Sequence, residues 1–412
     1  MIQLIPFIIT LLLPSYLIRF SFYGVPTTLL EIIVYGGLCV TLIHAVHSKQ
    51  FVQAVKKVYS NVFFKLAIIL LLVSAITVFV SPDLLSAAGI WKAYFFDSLI
   101  YIFLYIYWAR NKKDIDMVLA SFSISAGLLV LGSLLLPRYG LSVDGRLQSI
   151  FSSPNYLALY ITPALPVCWY LVTQKDSLFI KRLFLGLTFL VILAGVILTY
   201  SRGAWMALLG AGMVSLYFIY ISRTTGRKNR VVKASSYHKK VLLVITGLVV
   251  SITTIGLLYS SLFKFRGVQS DTIRIAIWQQ SISYIKETPL LGVGLGNFQN
   301  YFSEHTKTFI NFPEYITPHA LTPHNMVLNL WLQTGIIGLT AFLVVVVLFY
   351  TRVKNGILQE EVHTRGLYVA LGLSMATILF QGLVDSAIWK NDLILVFWMV
   401  VISISVSSTR DV

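Results

Sequence analysis

The sequence predicts an all-α membrane protein, a single polytopic domain over residues 1–412 with about twelve transmembrane helices and one large extracytoplasmic loop. Hydrophobic residues make up 57% of the chain and charged residues only 12%, and the mean hydropathy is +0.81. These values lie outside the range of soluble globular domains. Apolar runs of about 20 residues, the length that crosses a bilayer as a helix, recur along the whole chain.

The apolar runs place the expected spans in chain order. They lie at residues 2–20, 28–47, 63–80, 93–109, 117–136, 154–173, 180–200, 203–222, 240–261, 327–350, 366–388 and 392–408. Pro6 and Pro14 interrupt the first of these runs and Asp97 the fourth, so these two spans are the least regular.

The basic residues predict the orientation of the chain. The net charge is +16, and 21 of the 32 Lys and Arg residues fall in connections that are cytoplasmic if the N-terminus is cytoplasmic. This is the bias of the positive-inside rule, so the charge indicates topology and membrane lipid rather than a nucleic-acid partner. We expect both termini inside, a basic cytoplasmic loop at 223–240 against anionic lipid headgroups, and the 262–326 loop outside.

Cysteine and histidine usage predicts no metal and no cofactor. Cys39 and Cys168 both fall within apolar runs, which argues against a disulfide framework or a thiolate metal site. His319 and His324 are five residues apart and each follows a proline, unlike the four-residue spacing of a helical zinc pair.

Two arginines stand at the predicted outer boundary of the membrane. Arg202 lies between two spans with almost no loop, and Arg146 precedes a polar helix entrance that contains Asn155. An arginine at the edge of hydrocarbon is costly and usually faces a cavity or a partner. Arg202 therefore either snorkels at a turn or binds an anion, and Gly203 beside it permits close backbone approach.

The outer loop contains a helical pattern and a glycine run. Arg274 and Trp278 fit one face of a short amphipathic helix, which could also simply lie on the membrane surface. The run 289–296 (PLLGVGLG) lacks the Lys-Ser/Thr of a phosphate-binding P-loop and the spacing of a dinucleotide fingerprint. A tight, close-packed turn is the favoured interpretation.

His324 is the candidate catalytic residue. It stands in Pro323-His324-Asn325 directly before a predicted span, where an imidazole can accept a proton and Asn325 can cap the helix. The alternative is a purely structural role at the start of that span. Asp385, a carboxylate near the outer end of the eleventh expected span, could orient an arginine, bind an acceptor or neutralise Lys390.

These motifs, taken in order, resemble the O-antigen ligase/O-antigen polymerase family. The segments that carry the resemblance are 145–147, 154–158, 201–204, Arg274 with Trp278, 289–297 and 323–338. The resemblance implies a GT-C-like fold and a membrane glycosyltransferase that handles undecaprenyl-diphosphate-linked glycans on the outer face of the plasma (inner) membrane. Arg202 and Arg274 match the family's diphosphate-binding arginines, and His324 matches its acceptor-activating histidine.

The chemistry suits these residue types. The donor leaves as a lipid diphosphate, whose developing charge guanidinium groups can hold in bidentate fashion. The acceptor is a glycan or a lipid, and its hydroxyl must lose a proton to a base such as His324. Arg146, Asn155, Trp278, Asn325 and Asp385 are supporting candidates.

Three alternatives stay open. A transporter or flippase could grip the same diphosphate without reaction, although its paired halves would not produce one asymmetric outward insertion. A non-catalytic scaffold for cell-wall assembly would have no use for His324. Within the enzyme class, polymerase and ligase differ only in the acceptor, and the sequence does not separate them.

Overall fold

The computed structural model describes residues 4–22, 25–48, 51–174, 178–226, 267–306, 321–359 and 362–407, and most of them are helical. The helices up to residue 172 are α1 (Ile5–Leu11), α2 (Leu29–His47), α3 (Phe51–Ser60), α4 (Val62–Val78), α5 (Leu84–Trp91), α6 (Asp97–Trp108), α7 (Lys112–Leu135), α8 (Pro137–Gly140), α9 (Pro154–Ile161) and α10 (Ala164–Val172). Those that follow are α11 (Phe179–Leu198), α12 (Arg202–Gly226), α13 (Gly267–Glu287), α14 (Phe298–Thr306), α15 (Met326–Gln359), α16 (Val362–Gly382) and α17 (Asn391–Ser407).

The all-α membrane class is confirmed at the level of apolar helices. Within the described ranges, seven helical segments are long and apolar enough to cross a membrane, or eight if the bent pair α3–α4 forms one span. The seven are Leu29–His47, Leu84–Trp108, Lys112–Leu135, Pro154–Val172, Phe179–Leu198, Arg202–Ser222 and Met326–Leu358. The total of twelve stays a prediction, since the expected span 240–261 and most of the 223–240 segment lie outside the described residues.

The first expected span, 2–20, is wrong as a single helix. Helix α1 ends at Leu11 and a 3₁₀ turn, Leu13–Leu17, follows it. A two-stranded antiparallel hairpin comes next, formed by β1 (Arg19–Phe22) and β2 (Val25–Thr28). Pro14 has no amide hydrogen to donate to the carbonyl of Thr10, so an α-helix that entered this segment could not continue through it.

Two further spans are irregular inside. The fourth begins earlier than expected, and a π turn (Lys92–Phe96) interrupts it between α5 and α6. Asp97 follows this turn, and its buried carboxylate accepts a hydrogen bond from the Tyr35 hydroxyl at 2.7 Å. Helix α15 breaks at Gly335, whose φ of 67° and ψ of −177° are not helical.

The chain forms two compact units. The first consists of Met1–Arg110, Lys264–Val347 and Gly382–Ile402, and the second of Asn111–Phe263, Leu348–Gln381 and Ser403–Val412. In the first unit a cluster of buried side chains joins α13, α14 and the first turns of α15. The cluster comprises Ile277, Tyr284, Ile285, Val293, Phe298, Phe302 and Leu332. The helices α13 and α14 of the 262–326 loop therefore share a core with α15.

Candidate functional site

His324 directly precedes the N-terminal cap of α15. The side-chain oxygen of Asn325 accepts hydrogen bonds from the amides of Val327 (3.0 Å) and Leu328 (3.1 Å). Asn325 also donates from Nδ2 to the Leu383 carbonyl at 2.9 Å. Asn325 thus satisfies the first amides of α15 and fastens them to the segment that follows α16.

The backbone of His324 is held in a conformation that side chains rarely adopt. Its φ is 49°, in the left-handed region, which costs an L-residue roughly 1–2 kcal/mol. Its amide donates to the Thr322 hydroxyl at 3.4 Å, and the Pro323 carbonyl accepts from Trp278 Nε1 at 2.8 Å. Such strain persists only where the surroundings over-determine it, and it concentrates at functional sites.

Asp385 faces the imidazole of His324. Nδ1 of His324 lies 3.4 Å from Oδ1 of Asp385, and the same oxygen accepts from the Ser386 amide at 2.9 Å. The carboxylate is buried, whereas 26% of the His324 side chain is exposed. When Nδ1 carries the proton and shares it with the carboxylate, Nε2 carries the free lone pair. A general base needs this tautomer.

The environment keeps Asp385 ionised. Burial raises the pKa of its carboxyl, but the hydrogen bond and charge of His324, the charge of Arg274 and the Ser386 amide outweigh that effect. The pKa therefore lies below its ordinary value. Of the three roles that the sequence left open for Asp385, neutralising Lys390 has the least support. Burial lowers the pKa of Lys390, and the carboxylate that opposes this effect is Asp392.

Arg274 and Trp278 lie one turn apart on α13. The indole of Trp278 reaches the Pro323 carbonyl, and the charge of Arg274 acts on Asp385. The predicted helical pair thus acts on the segments that carry His324 and Asp385, Trp278 through a hydrogen bond and Arg274 through its charge. The first unit therefore contains five of the predicted site residues, namely His324, Asp385, Arg274, Trp278 and the helix cap Asn325.

In the second unit Arg146 joins three segments. Its Nε donates to the Thr199 carbonyl at 2.7 Å and its Nη2 to Oδ1 of Asn155 at 3.0 Å. Thr199 caps the C-terminus of α11, where exposed carbonyls favour a cation. Arg146 and Asn155, predicted as neighbours of a polar helix entrance, are in direct contact.

Arg202 begins α12 immediately after this junction. Ser201 caps the helix, with its hydroxyl 3.4 Å from the Ala204 amide, and Tyr200 has a φ of 47°. Arg202 itself is half-buried. Within the described residues, non-glycine positive φ occurs at Ser149, Tyr200 and His324, each of which lies within three residues of a predicted site residue. Backbone geometry thus marks the same places as the sequence motifs did.

The glycine run is a close-packed turn. The amide of Val293 donates to the Leu332 carbonyl at 2.8 Å, that of Leu295 to the Thr77 carbonyl at 3.1 Å, and that of Gly296 to the Gln333 side chain at 2.6 Å. These amides are therefore engaged by protein acceptors rather than arranged around an anion. A Cβ at Gly292 would lie 2.1 Å from the Leu332 carbonyl oxygen, which accounts for glycine there.

The described residues contain no group of three His, Cys, Asp or Glu side chains placed to hold a metal ion. His305 stacks on Tyr301 with ring centroids 3.8 Å apart, and its Nδ1 lies 2.9 Å from the Tyr301 carbonyl oxygen. His319 lies outside the described residues.

Comparisons with known proteins agree with the resemblance stated above. A family model described as O-antigen ligase matches residues 187–343, a range that includes Arg202, Arg274 and His324. An O-antigen ligase of Salmonella typhimurium is 26% identical over 230 residues, which cover 55% of this chain. The match spans 53% of that relative, about half of its length.

Proposed function

We propose that this chain, whose resemblance to the O-antigen ligase family is confirmed, transfers or polymerises glycan from an undecaprenyl-diphosphate-linked donor at the outer face of the plasma membrane. The family supports a multi-pass membrane enzyme that moves glycosyl groups. The observation that carries the finer proposal is the His324–Asp385 pair under the charge of Arg274, at the start of an apolar helix.

The proposed reaction is a direct displacement. The acceptor hydroxyl oxygen forms a bond to the anomeric carbon, the bond from that carbon to the diphosphate breaks, and the diphosphate leaves with the electron pair. Nε2 of His324 takes the hydroxyl proton, and the Asp385 carboxylate stabilises the imidazolium that results. This course inverts the configuration at the anomeric carbon.

The arginines are assigned to the leaving group. Guanidinium ions are permanently charged and hold two phosphate oxygens at once, so they stabilise the charge that develops as the donor bond breaks. Arg274 is already in the field of the His324–Asp385 pair. We assign Arg202 to diphosphate binding from its match to the family motif. Arg146 and Asn155 are assigned to holding the Thr199 segment that precedes Arg202.

The deciding experiment uses purified protein, the lipid-diphosphate-linked glycan of the producing strain as donor, and product analysis with and without EDTA. His324→Asn is the sharpest variant, because Asn tolerates the left-handed backbone but cannot act as a base. Turnover should fall by about 10²–10⁴-fold while donor binding persists. His305→Ala is the matched control, since it also removes one imidazole from the first unit.

The alternatives predict different results. Glycan chains extended on the lipid indicate a polymerase, and glycan joined to a different acceptor indicates a ligase. If the donor crosses the membrane of sealed proteoliposomes and no glycosyl-transfer product forms, the protein is a flippase instead. Wild-type turnover in His324→Asn would reduce His324 to a structural role at the start of α15.

A further inference from the structure

Helix α3 is short and amphipathic, and it lies across the entrance to a membrane span. It joins α2 to α4 and is bent by 80° from α4. Val52, Val55 and Tyr59 are exposed along it, whereas Val58 is 1% exposed and faces the protein. An apolar surface of this kind on a ten-residue helix is typical of a helix lying in the membrane interface.

The lengths of the two helices support the same position. The 17 residues of α4 span about 25 Å at 1.5 Å per residue, close to the thickness of the hydrocarbon core. Helix α4 is therefore long enough to cross the hydrocarbon core without α3. Because α3 is nearly perpendicular to it, α3 runs along the membrane surface rather than into it.

Lys57 fixes the depth of α3. Its Nζ donates to the Ile106 carbonyl at 2.9 Å, in the last turn of α6, which ends at Trp108. The last carbonyls of a helix carry partial negative charge and favour a cation. Helix α3 is thus anchored at the level where α6 leaves the membrane.

The remaining charges of this surface are positive. Lys56 and Lys65 are exposed, and Nζ of Lys65 lies 5.3 Å from the centre of the Tyr59 ring. Residues 51–65 contain no Asp or Glu. A surface with two exposed ammonium groups beside an exposed apolar stripe complements a phospholipid whose headgroup carries a net negative charge.

We propose that α3 and the first turn of α4 form a binding surface for anionic phospholipid. Lys56 and Lys65 contact the phosphates, Tyr59 lies at headgroup level, and Val52 and Val55 dip among the upper acyl carbons. A lysine near an anionic membrane surface contributes about a fivefold gain in association. This surface is separate from the His324 site and does not depend on the glycosyl-transfer proposal.

The test reads lipid occupancy at α3 itself. The full-length protein, with Cys39→Ser and Cys168→Ser changes, carries a fluorophore on Val52→Cys in vesicles of phosphatidylcholine and phosphatidylglycerol. Brominated forms of each lipid then quench the fluorophore in proportion to local occupancy. Bromines near the headgroup should quench more strongly than bromines near the chain end.

The expected result is a preference for brominated phosphatidylglycerol over brominated phosphatidylcholine. The preference should fall by about fivefold in each single variant, Lys56→Gln or Lys65→Gln, and disappear in the double variant. Lys286→Gln is the matched control, because it removes an exposed lysine from α13 and should leave the preference unchanged. Equal quenching by the two lipids in the parent protein, or an undiminished preference in the double variant, would overturn the proposal.

Discussion

The break in α15 provides the most quantitative test of the fold around the candidate site. Gly335 stands at φ 67° and ψ −177°, between the turns that follow His324 and the long apolar part of α15. A Cβ added there would lie 1.9 Å from the Leu290 carbonyl oxygen and 2.8 Å from the Leu291 Cα. Both atoms belong to the backbone, so no side-chain rotation relieves the contact in Gly335→Ala.

The magnitude follows from two contributions. This region of φ and ψ is essentially restricted to glycine, and occupying it costs another residue roughly 1–3 kcal/mol. The 289–291 backbone must also retreat by about 1 Å to restore a contact of 3.0 Å. That movement disrupts the hydrogen bonds from the Ile336 amide and the Trp331 indole to the Pro289 carbonyl, each worth about 0.5–1.5 kcal/mol. We expect a loss of about 2–6 kcal/mol.

This free energy of unfolding is measured by titration with SDS, in which the loss of helicity and the loss of activity are monitored. Gly36→Ala is the control, since nothing lies within 4 Å of a Cβ at that position in α2 and Ala is the better helix former. Gly36→Ala should therefore unfold no earlier than the wild type. If Gly335→Ala unfolds at the same SDS concentration as the wild type and Gly36→Ala, the close approach of the 289–291 backbone to α15 is wrong.

The sequence predicted best those elements whose signal is local. The expected spans 28–47, 180–200 and 203–222 coincide closely with α2, α11 and the apolar part of α12, because long apolar runs without an internal proline define them. The break at Gly335 was missed, since it depends on backbone that lies 45 positions earlier in the chain. The hairpin that replaces the end of the first expected span was missed as well, because strands of four residues are too short to stand out beside the apolar run that precedes them.

In the candidate site, too, local features could be predicted from the sequence and long-range contacts could not. Pro323-His324-Asn325 could be read directly, since a helix cap and the residue before it are neighbours in the chain. The partner of His324 could not be identified, because Asp385 is 61 residues away and only the fold places it there. The sequence left three roles open for Asp385, and none of them was this contact. The left-handed backbone at His324 was missed too, because histidine adopts this conformation more often than most residues but still only in a small minority of cases.

Three further predictions concern topology, the arginines and pH. Thr306→Cys should react with an impermeant thiol reagent added outside intact cells, and labelling only from the cytoplasm would reverse the orientation. Arg202→Lys and Arg274→Lys should each lower turnover at least tenfold in the donor assay, because a point charge replaces a two-pronged contact; full turnover in both would exclude them from the diphosphate site. The pKa of Asp385 is lowered in the folded state from its ordinary 3.8, so the ionised carboxylate stabilises the fold above pH 3.8. This stabilisation is lost as the pH falls through the pKa of the folded state, since the carboxyl is then protonated in the folded and the unfolded protein alike. Acid titration of the free energy of unfolding should therefore be shallower below about pH 4 in Asp385→Asn than in the wild type. Parallel acid titrations of the two proteins would mean that His324 and Arg274 do not hold this carboxylate ionised.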